Sequence, residues 1–217
     1  DTWHMNKQLF DWLFGEGVSV MQDLGSGNKN QTLKLFDFED VTKNDFVVTN
    51  QFTVTNANGT IIPDITIFVN GIPLVVVECK SPKLAPSKQL TEAYKQMDRY
   101  LRVNERLFWY NQILILTSRD RAKTATLFTP AKHYNVWKDP YPLTLGEVGS
   151  DYPQDILVAG MLRKEALMDL INNFIVFDGK AKKLARYQQY RAVNKTLDRI
   201  LEGKKPAQGR PIFLGIT

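Results

Sequence analysis

Apolar and polar residues alternate in short runs over the first eighty residues of this chain, a pattern typical of β-strands. The most apolar stretch spans residues 61–80, where two predicted strands flank an Asn70-Gly71 turn and the second strand ends in Glu78-Cys79-Lys80. A strand this apolar is expected to be buried, and buried charges are costly unless they are paired or bind metal. The charged end of this hairpin is therefore the first candidate for a functional site.

The remaining periodicities predict an α/β fold. A short helix is expected to end at Gly15 or Gly17, followed by strands at 18–21, 33–38, 45–48 and 51–55, with a loop at 24–31. Apolar positions at intervals of three and four predict a helix over 87–106 with Ser87 as its N-cap, and residues 112–117 are predicted to form a buried strand. Because strand, helix and strand in succession imply a crossover, the two strands are expected to be parallel.

Beyond residue 118 the pattern becomes irregular and then helical. Short strands are predicted at 124–128 and 134–137, two short helices at 154–160 and 163–173, and a strand or helix end at 174–177. A long basic helix is predicted at 180–201, a polar linker at 203–208 and a strand at 211–217. These boundaries predict a first domain over 1–153 and a helical segment over 154–217 that leads into a further domain.

Composition narrows the class of protein. A hydrophobic content of 43% is enough for a substantial core, and the single cysteine, Cys79, excludes an intramolecular disulfide framework. No apolar run approaches the roughly 18 residues of a membrane span, and no signal-peptide pattern opens the sequence. The expectation is a cytoplasmic protein without a membrane partner.

Charge is distributed unevenly along the sequence. Residues 1–80 contain 5 Lys/Arg and 10 Asp/Glu, a net −5, whereas residues 81–217 contain the other 23 Lys/Arg and 13 Asp/Glu, a net +10. One stripe of the helix predicted over 87–106 carries five cations without an interleaved acid: Lys88, Lys95, Arg99, Arg102 and Arg106. Such a stripe is either a solvated helix face or a surface that binds DNA phosphates, and the uneven charge could itself be chance.

The hairpin combines an acid, Asp64, with a Glu-x-Lys sequence, which suits phosphodiester hydrolysis. Asp64 and Glu78 could supply the hard oxygen ligands that Mg²⁺ prefers, with the backbone carbonyl of Cys79 as a third. Lys80 could hold or help deprotonate a water molecule and offset the charge that develops on phosphate. In a strand, Glu78 and Lys80 point to one face and Cys79 to the other, which is the geometry that this chemistry requires.

Turn arithmetic sets a condition on this site. With a strict two-residue turn and an uninterrupted ladder, Pro63 would lie opposite Glu78 and Asp64 would face away. Asp64 can oppose Glu78 only if the register shifts by one residue, through a longer loop or a β-bulge. Pro73, which cannot donate to the ladder, makes such a shift plausible. We therefore predict that the hairpin is bulged or has a longer loop.

These residues resemble the signature of a nuclease superfamily. Pro63-Asp64 followed by Glu78-Cys79-Lys80 is similar to the PD-(D/E)xK motif, and Gln96-Met-Asp-Arg-Tyr100 resembles the QxxxY motif of its RecB-like branch. The segments at 50–54, 63–74 and 183–193 are similar to the motor/restriction (R) subunit of type I restriction enzymes, and the likeness covers most of the chain. The acid and ExK spacing alone is common by chance, whereas its combination with QxxxY and with the long similar segments is specific.

The resemblance implies a restriction-endonuclease-like mixed sheet flanked by helices, then a helical linker leading to a truncated helicase-like domain. It implies that Asp64 and Glu78 bind Mg²⁺, that Lys80 is catalytic, and that Gln96 and Tyr100 support cleavage of double-stranded DNA. It also implies methylation and specificity subunits as partners, and ATP-driven translocation by the full-length subunit. The alternatives are a catalytically inert DNA-binding or assembly module of the same fold, and a repair or junction nuclease.

Two departures from the family pattern concern the cofactors. No GxxxxGK[ST] loop occurs in the sequence, so ATP is expected only in the full-length subunit. Gln189 resembles the glutamine that reads adenine just before that loop, and its alternative role is that of a helix surface residue. Related nucleases also place an acid on a helix upstream of the strands, for which Glu16 is a poor substitute, so the metal ligands could be incomplete.

Overall fold

A computed structural model of the chain describes residues 1–15, 17–23, 25 and 27–201. The helices are α1 (Thr2–Phe14), α2 (Pro86–Val103), α3 (Glu105–Trp109), α4 (Leu145–Val148), α5 (Pro153–Met161), α6 (Lys164–Asn173) and α7 (Tyr187–Leu201). The strands are β1 (Val18–Asp23), β2 (Asn28–Leu33), β3 (Phe46–Asn50), β4 (Val54–Asn56), β5 (Gly59–Ile61), β6 (Ile65–Val69), β7 (Ile72–Cys79), β8 (Ile113–Thr117), β9 (Ala122–Ala125), β10 (Ile175–Asp178) and β11 (Ala181–Leu184). Glu16 and the elements predicted at 203–208 and 211–217 lie outside the described residues.

A mixed sheet of five strands forms the centre of the fold, in the order β3-β6-β7-β8-β9. The pairs β3–β6, β6–β7 and β8–β9 are antiparallel, whereas β7 and β8 are parallel and joined through α2 and α3. The predicted α/β class and the predicted crossover are therefore confirmed. β7 has a neighbour on each side and is covered on both faces, which is why its sequence is almost continuously apolar.

The two faces of β7 belong to different hydrophobic cores. Val75 and Val77 pack into a core that includes residues of α1, α5 and α6, whereas Val76 packs into a second core with Met97 of α2. Residues on both sides of position 153 contribute to the first core, as Leu157 does. The domain boundary at 153 stays a prediction.

The β6–β7 hairpin contains the predicted register shift. Its turn is the two-residue type, and both turn residues have positive φ values, 50° and 79°, as a type I′ turn requires. The register then shifts by one residue at a bulge in which Leu74 has no partner on β6, so that Ile65 lies opposite Val77. The next positions outward, Asp64 and Glu78, are thereby brought opposite each other. A β-bulge, not a longer loop, meets the condition derived from the sequence.

Several predicted strands differ from the observed ones. The strand predicted at 33–38 is wrong, because β2 ends at Leu33, and the loop predicted at 24–31 overlaps the start of β2. The strand predicted at 18–21 is confirmed as part of β1. β1 pairs with β2 in a separate two-stranded sheet, and every residue of β2 is exposed, so hydrophobic periodicity could not locate β2. The strand predicted at 134–137 is a single bridge between Asn135 and Thr124.

Two predicted helices have different boundaries. α2 begins with Ala85 as its N-cap and Pro86 in its first turn, instead of Ser87 as its N-cap, because proline suits the first turn of a helix. It ends at Val103, so Arg106 lies on the separate helix α3. The long helix predicted over 180–201 begins only at Tyr187, because residues 181–184 form β11 of a hairpin with β10.

The helices predicted at 154–160 and 163–173 are confirmed as α5 and α6. Within the described ranges, no helix is both long and apolar enough to cross a membrane.

Candidate active site

Asp64 is held against the end of β7 by a backbone hydrogen bond. The N–H of Cys79 donates to Oδ2 of Asp64 at 2.7 Å. Asp64 immediately precedes β6, and the N–H of Gln51 donates to its backbone carbonyl at 2.9 Å. The bulge in β7 makes this contact possible, since it sets the acid opposite the Glu-x-Lys sequence. The two ends of the sequence motif therefore meet in space as predicted.

Glu78 is fully buried, with 0% of its side chain exposed, and it is paired with Lys80. Nζ of Lys80 donates to Oε1 of Glu78 at 2.5 Å, whereas Oε2 is buried and has no hydrogen-bond partner. Burial raises the pKa of Glu78, the hydrogen bond from Lys80 opposes that rise, and the nearby charge of Asp64 adds to it. An unpartnered buried carboxylate oxygen is unfavourable, and a bound cation would remove that cost.

Gln96 and Tyr100 extend this pair into a continuous array. Nζ of Lys80 also donates to Oε1 of Gln96 at 2.6 Å, and Nε2 of Gln96 donates to the hydroxyl of Tyr100 at 2.5 Å. That hydroxyl donates in turn to the backbone carbonyl of Ile62 at 2.9 Å. Burial raises the pKa of Tyr100 to about 12, so the phenol keeps its proton at neutral pH. The four-residue spacing on α2 brings the side chains of Gln96 and Tyr100 together on one side of the helix.

The donor set at this site fits a hard cation. Two carboxylates, Asp64 and Glu78, share it, and Mg²⁺ is usually held by one or two carboxylates together with water molecules. Across residues 1–15, 17–23, 25 and 27–201, no group of three or more His, Cys, Asp and Glu side chains could hold a metal ion. The Cys79 thiol is an unsuitable ligand, because burial raises its pKa to about 11 and keeps it protonated. Its backbone carbonyl remains the candidate third oxygen.

The cationic stripe of α2 is less uniform than the sequence predicted. Four of its members lie on α2 and are exposed, but Lys95 pairs with Glu92 at 3.0 Å and Arg102 pairs with Asp98. The expectation that no acid accompanies the stripe was wrong, since acids three and four residues earlier on the helix reach these cations. Arg99 lies over the Tyr100 ring, 5.0 Å from its centroid, which places one cation next to the array. DNA contact by Lys88, Lys95, Arg99, Arg102 and Arg106 stays a prediction.

Gln189 contacts a residue close to it in the sequence and is not part of the hydrogen-bonded array. It is an exposed residue of the first turn of α7, and its Oε1 accepts a hydrogen bond from the N–H of Arg186 at 2.8 Å. This contact satisfies a backbone donor at the start of the helix. Recognition of adenine by Gln189 stays a prediction.

The sequence interpretation missed a buried glutamine that shapes the connection after Lys80. Nε2 of Gln89 donates to the carbonyls of Pro82 and Leu84 at 3.2 and 2.9 Å, and Oγ of Ser118 donates to Oε1 of Gln89 at 2.6 Å. Gln89 thus ties the loop between β7 and α2 to the end of β8. The sequence contains a signal for this residue, because Gln89 lies four residues before Ala93 and therefore on the buried face of the helix.

Fold and site together define a mixed α/β protein with a carboxylate and lysine cluster at the end of its central strand. Comparison with known families gives a match over residues 4–133 to the family described as Type I restriction enzyme R protein N terminus. This chain belongs to that family.

Curated relatives carry related names. The chain is 35% identical over 202 residues to the Type I restriction enzyme HindI endonuclease subunit of Haemophilus influenzae, covering 89% of this chain and 19% of that protein. It is 30% identical over 229 residues to the putative type I restriction enzyme MjaIXP endonuclease subunit of Methanocaldococcus jannaschii, covering 95% and 22%. It is 28% identical over 158 residues to the Type I restriction enzyme EcoprrI endonuclease subunit of Escherichia coli, covering 68% and 47%. The chain therefore spans about a fifth of the first two relatives.

Proposed function

We propose that this chain is the endonuclease part of a type I restriction subunit and hydrolyses phosphodiester bonds of double-stranded DNA with Mg²⁺. One observation carries the proposal: Glu78, Lys80, Gln96 and Tyr100 form an unbroken hydrogen-bonded array beside Asp64, and Oε2 of Glu78 is buried without a partner. The names of the relatives support the same activity. We further propose that the full-length subunit couples cleavage to ATP-driven translocation, in a cytoplasmic complex with methylation and specificity subunits.

Asp64, Glu78 and the backbone carbonyl of Cys79 would hold the metal. A bound Mg²⁺ would supply Lewis-acid polarisation of a phosphoryl oxygen and a more acidic water. Lys80 holds Glu78 in position and presents an ammonium group that can orient a water molecule or offset negative charge on phosphate. Gln96 fixes the direction of that ammonium group by accepting its second hydrogen bond, and Tyr100 fixes Gln96.

The test uses the full-length subunit in its assembled complex, with ATP, Mg²⁺ and plasmid DNA. Glu78→Gln and Lys80→Gln should each lower the cleavage rate by about 100-fold or more, since each removes a charge from the reacting centre. Lys83→Gln, which changes an exposed residue of the loop after β7, is the matched control and should cleave normally. Normal cleavage by Glu78→Gln would refute the proposal. DNA binding without any cleavage by the wild-type complex would favour the inert module.

A further inference from the structure

The turn between β8 and β9 carries an arginine in an unusual backbone conformation. Arg119 has a φ of 59°, in the left-handed region that glycine and asparagine occupy most readily. The side chain is exposed, so burial does not explain why arginine occupies this position. A position that would suit glycine, but carries an arginine, suggests that the side chain has a role of its own.

The backbone of Arg119 is fixed on both sides by one residue. Oε1 of Gln154 accepts the N–H of Arg119 at 3.1 Å, and the N–H of Gln154 donates to the carbonyl of Arg119 at 3.2 Å. The same Oε1 accepts the hydroxyl of Thr117 at 2.9 Å, so Gln154 also holds the end of β8. Gln154 therefore connects the backbone of Arg119 to the end of β8 and to the start of α5.

The guanidinium group is also positioned. Its Cζ atom lies 4.0 Å from the centroid of the Tyr152 ring, within the range of a cation–π contact. Tyr152 is 39% exposed, so the stacked pair stands at the surface with donors available to a ligand. A planar guanidinium stacked on an aromatic ring is well suited to bidentate contact with phosphate.

This arginine stands at the same end of the sheet as the candidate active site. β7 and β8 are parallel, and the N–H of Lys80 donates to the carbonyl of Thr117 at 2.8 Å. Arg119 follows two residues after Thr117. The cleft beside the turn, of roughly 430 Å³, has a floor of six apolar residues together with three cations, Arg121, Lys123 and Lys138, and one acid, Asp120. Positive charge therefore exceeds negative charge among the residues around this cleft.

We propose that Arg119, stacked on Tyr152 and held by Gln154, binds a backbone phosphate of the DNA that enters the active site. The inference rests on the proposed function in taking DNA as the substrate, and it adds a contact outside the Asp-Glu-Lys array. The cations of the adjacent cleft extend the same phosphate-binding surface. No base is read by this contact, so it should not depend on DNA sequence.

The test measures binding of a fluorescent 30-bp duplex to the chain by anisotropy, in EDTA and over a range of NaCl concentrations. Arg119→Ala should weaken binding several-fold and reduce the slope of log K against log salt by about 1, because one phosphate contact is lost. Arg119→Gly removes the same side chain but suits the positive φ, so it should fold at least as well and bind equally weakly. Lys29→Ala, on the exposed strand β2, removes one charge elsewhere and serves as the control.

Affinity and salt slope equal to wild type in both Arg119 variants would overturn the proposal, and so would an equal loss in Lys29→Ala. Absence of duplex binding by the wild-type chain at low salt would overturn it as well. Because binding is measured without metal, the result is independent of cleavage. If the Arg119 variants bind DNA weakly but the wild-type complex never cuts DNA, the phosphate contact is upheld and the nuclease proposal is refuted. If the Arg119 variants bind DNA as the wild type does and the wild-type complex cuts DNA, the nuclease proposal is upheld and the phosphate contact is refuted.

Discussion

The backbone N–H of Cys79 and the carboxylate of Asp64 are joined by a 2.7 Å hydrogen bond. The two residues are fifteen positions apart, and one extra residue in β7 places them together. Without the bulge at Leu74, the strand would present its opposite face and Asp64 would have no contact with the Glu-x-Lys sequence. The integrity of the site is thus tied to the strand register.

Deletion of Leu74 should therefore damage the candidate site, whereas Leu74→Ala should only lower the stability of the fold. Leu74→Ala leaves a cavity in the core and should cost about 2–5 kcal/mol, but it keeps the register. Deletion of the residue should move Glu78 to the other face and abolish the stabilisation that we expect from Mg²⁺. Urea unfolding with and without Mg²⁺ measures both effects. A Leu74 deletion that still responds to Mg²⁺ would contradict this account of the bulge.

Mg²⁺ should stabilise the wild-type chain against thermal unfolding. At a concentration 100 times the dissociation constant, a ligand specific for the folded state adds about 2.7 kcal/mol. Asp64→Asn and Glu78→Gln should lose most of this increase, since each removes a proposed ligand. Asp11→Asn, which changes an exposed acid of α1, should keep it. Differential scanning fluorimetry at several Mg²⁺ concentrations gives the answer, and an equal shift in all four proteins would count against the site.

The buried carboxyl of Glu78 should make the metal-free protein less stable as pH rises. Burial raises its pKa above that of the unfolded chain, so its contribution to stability is fully present below pH 4.5 and is lost as pH rises through the folded pKa. Glu78→Gln cannot ionise and should gain stability relative to wild type between acidic and neutral pH. Urea unfolding in EDTA at intervals from pH 4 to 7 tests this. A stability difference that stays constant with pH would contradict the expectation.

Tyr100→Phe should show how much cleavage depends on the positions of Gln96 and Lys80. The change removes a hydroxyl that donates to the Ile62 carbonyl and accepts from Gln96, while the ring stays in the core. We expect a loss of about 1–3 kcal/mol in the free energy of unfolding, because buried polar groups lose their partners. Cleavage by the assembled complex should fall about 10- to 100-fold through misplacement of Gln96 and Lys80, the range seen when outer-shell partners of metal sites are changed. Tyr94→Phe, also on α2 but outside the array, should cleave normally.

Lys182 should be important for stability although it is remote from the site in sequence. Its Nζ atom is buried and donates to Oδ1 of Asn6 at 2.8 Å, to the carbonyl of Asn111 at 3.1 Å and to Oε1 of Gln112 at 2.5 Å. Lys182→Met should cost about 2 kcal/mol or more, because these acceptors lose their donor. Lys183→Met, on the exposed side of the same strand, should change stability by less than about 0.5 kcal/mol. Equal effects in the two variants would contradict this role.

Much of the site could be predicted from the sequence because its residues obey short-range rules. Alternation in a strand puts Glu78 and Lys80 on the same face of the strand. A four-residue spacing puts Gln96 and Tyr100 on the same side of helix α2. The need for a register shift followed from the same arithmetic. The polar strand β2 escaped prediction because its residues are all exposed and leave no hydrophobic pattern, although its partner β1 was predicted.

The sequence by itself determined the central hairpin, the crossover to a parallel strand and the identity of the candidate catalytic side chains. Only the tertiary structure decided how the register shifts and which oxygen of Glu78 lacks a partner. It also decided that Gln154 and Tyr152 hold Arg119 at the same end of the sheet as the candidate active site. The physical reason is distance along the chain. Periodicity reports which face a side chain takes within one element, whereas contacts between elements dozens of residues apart depend on how the sheet and helices pack.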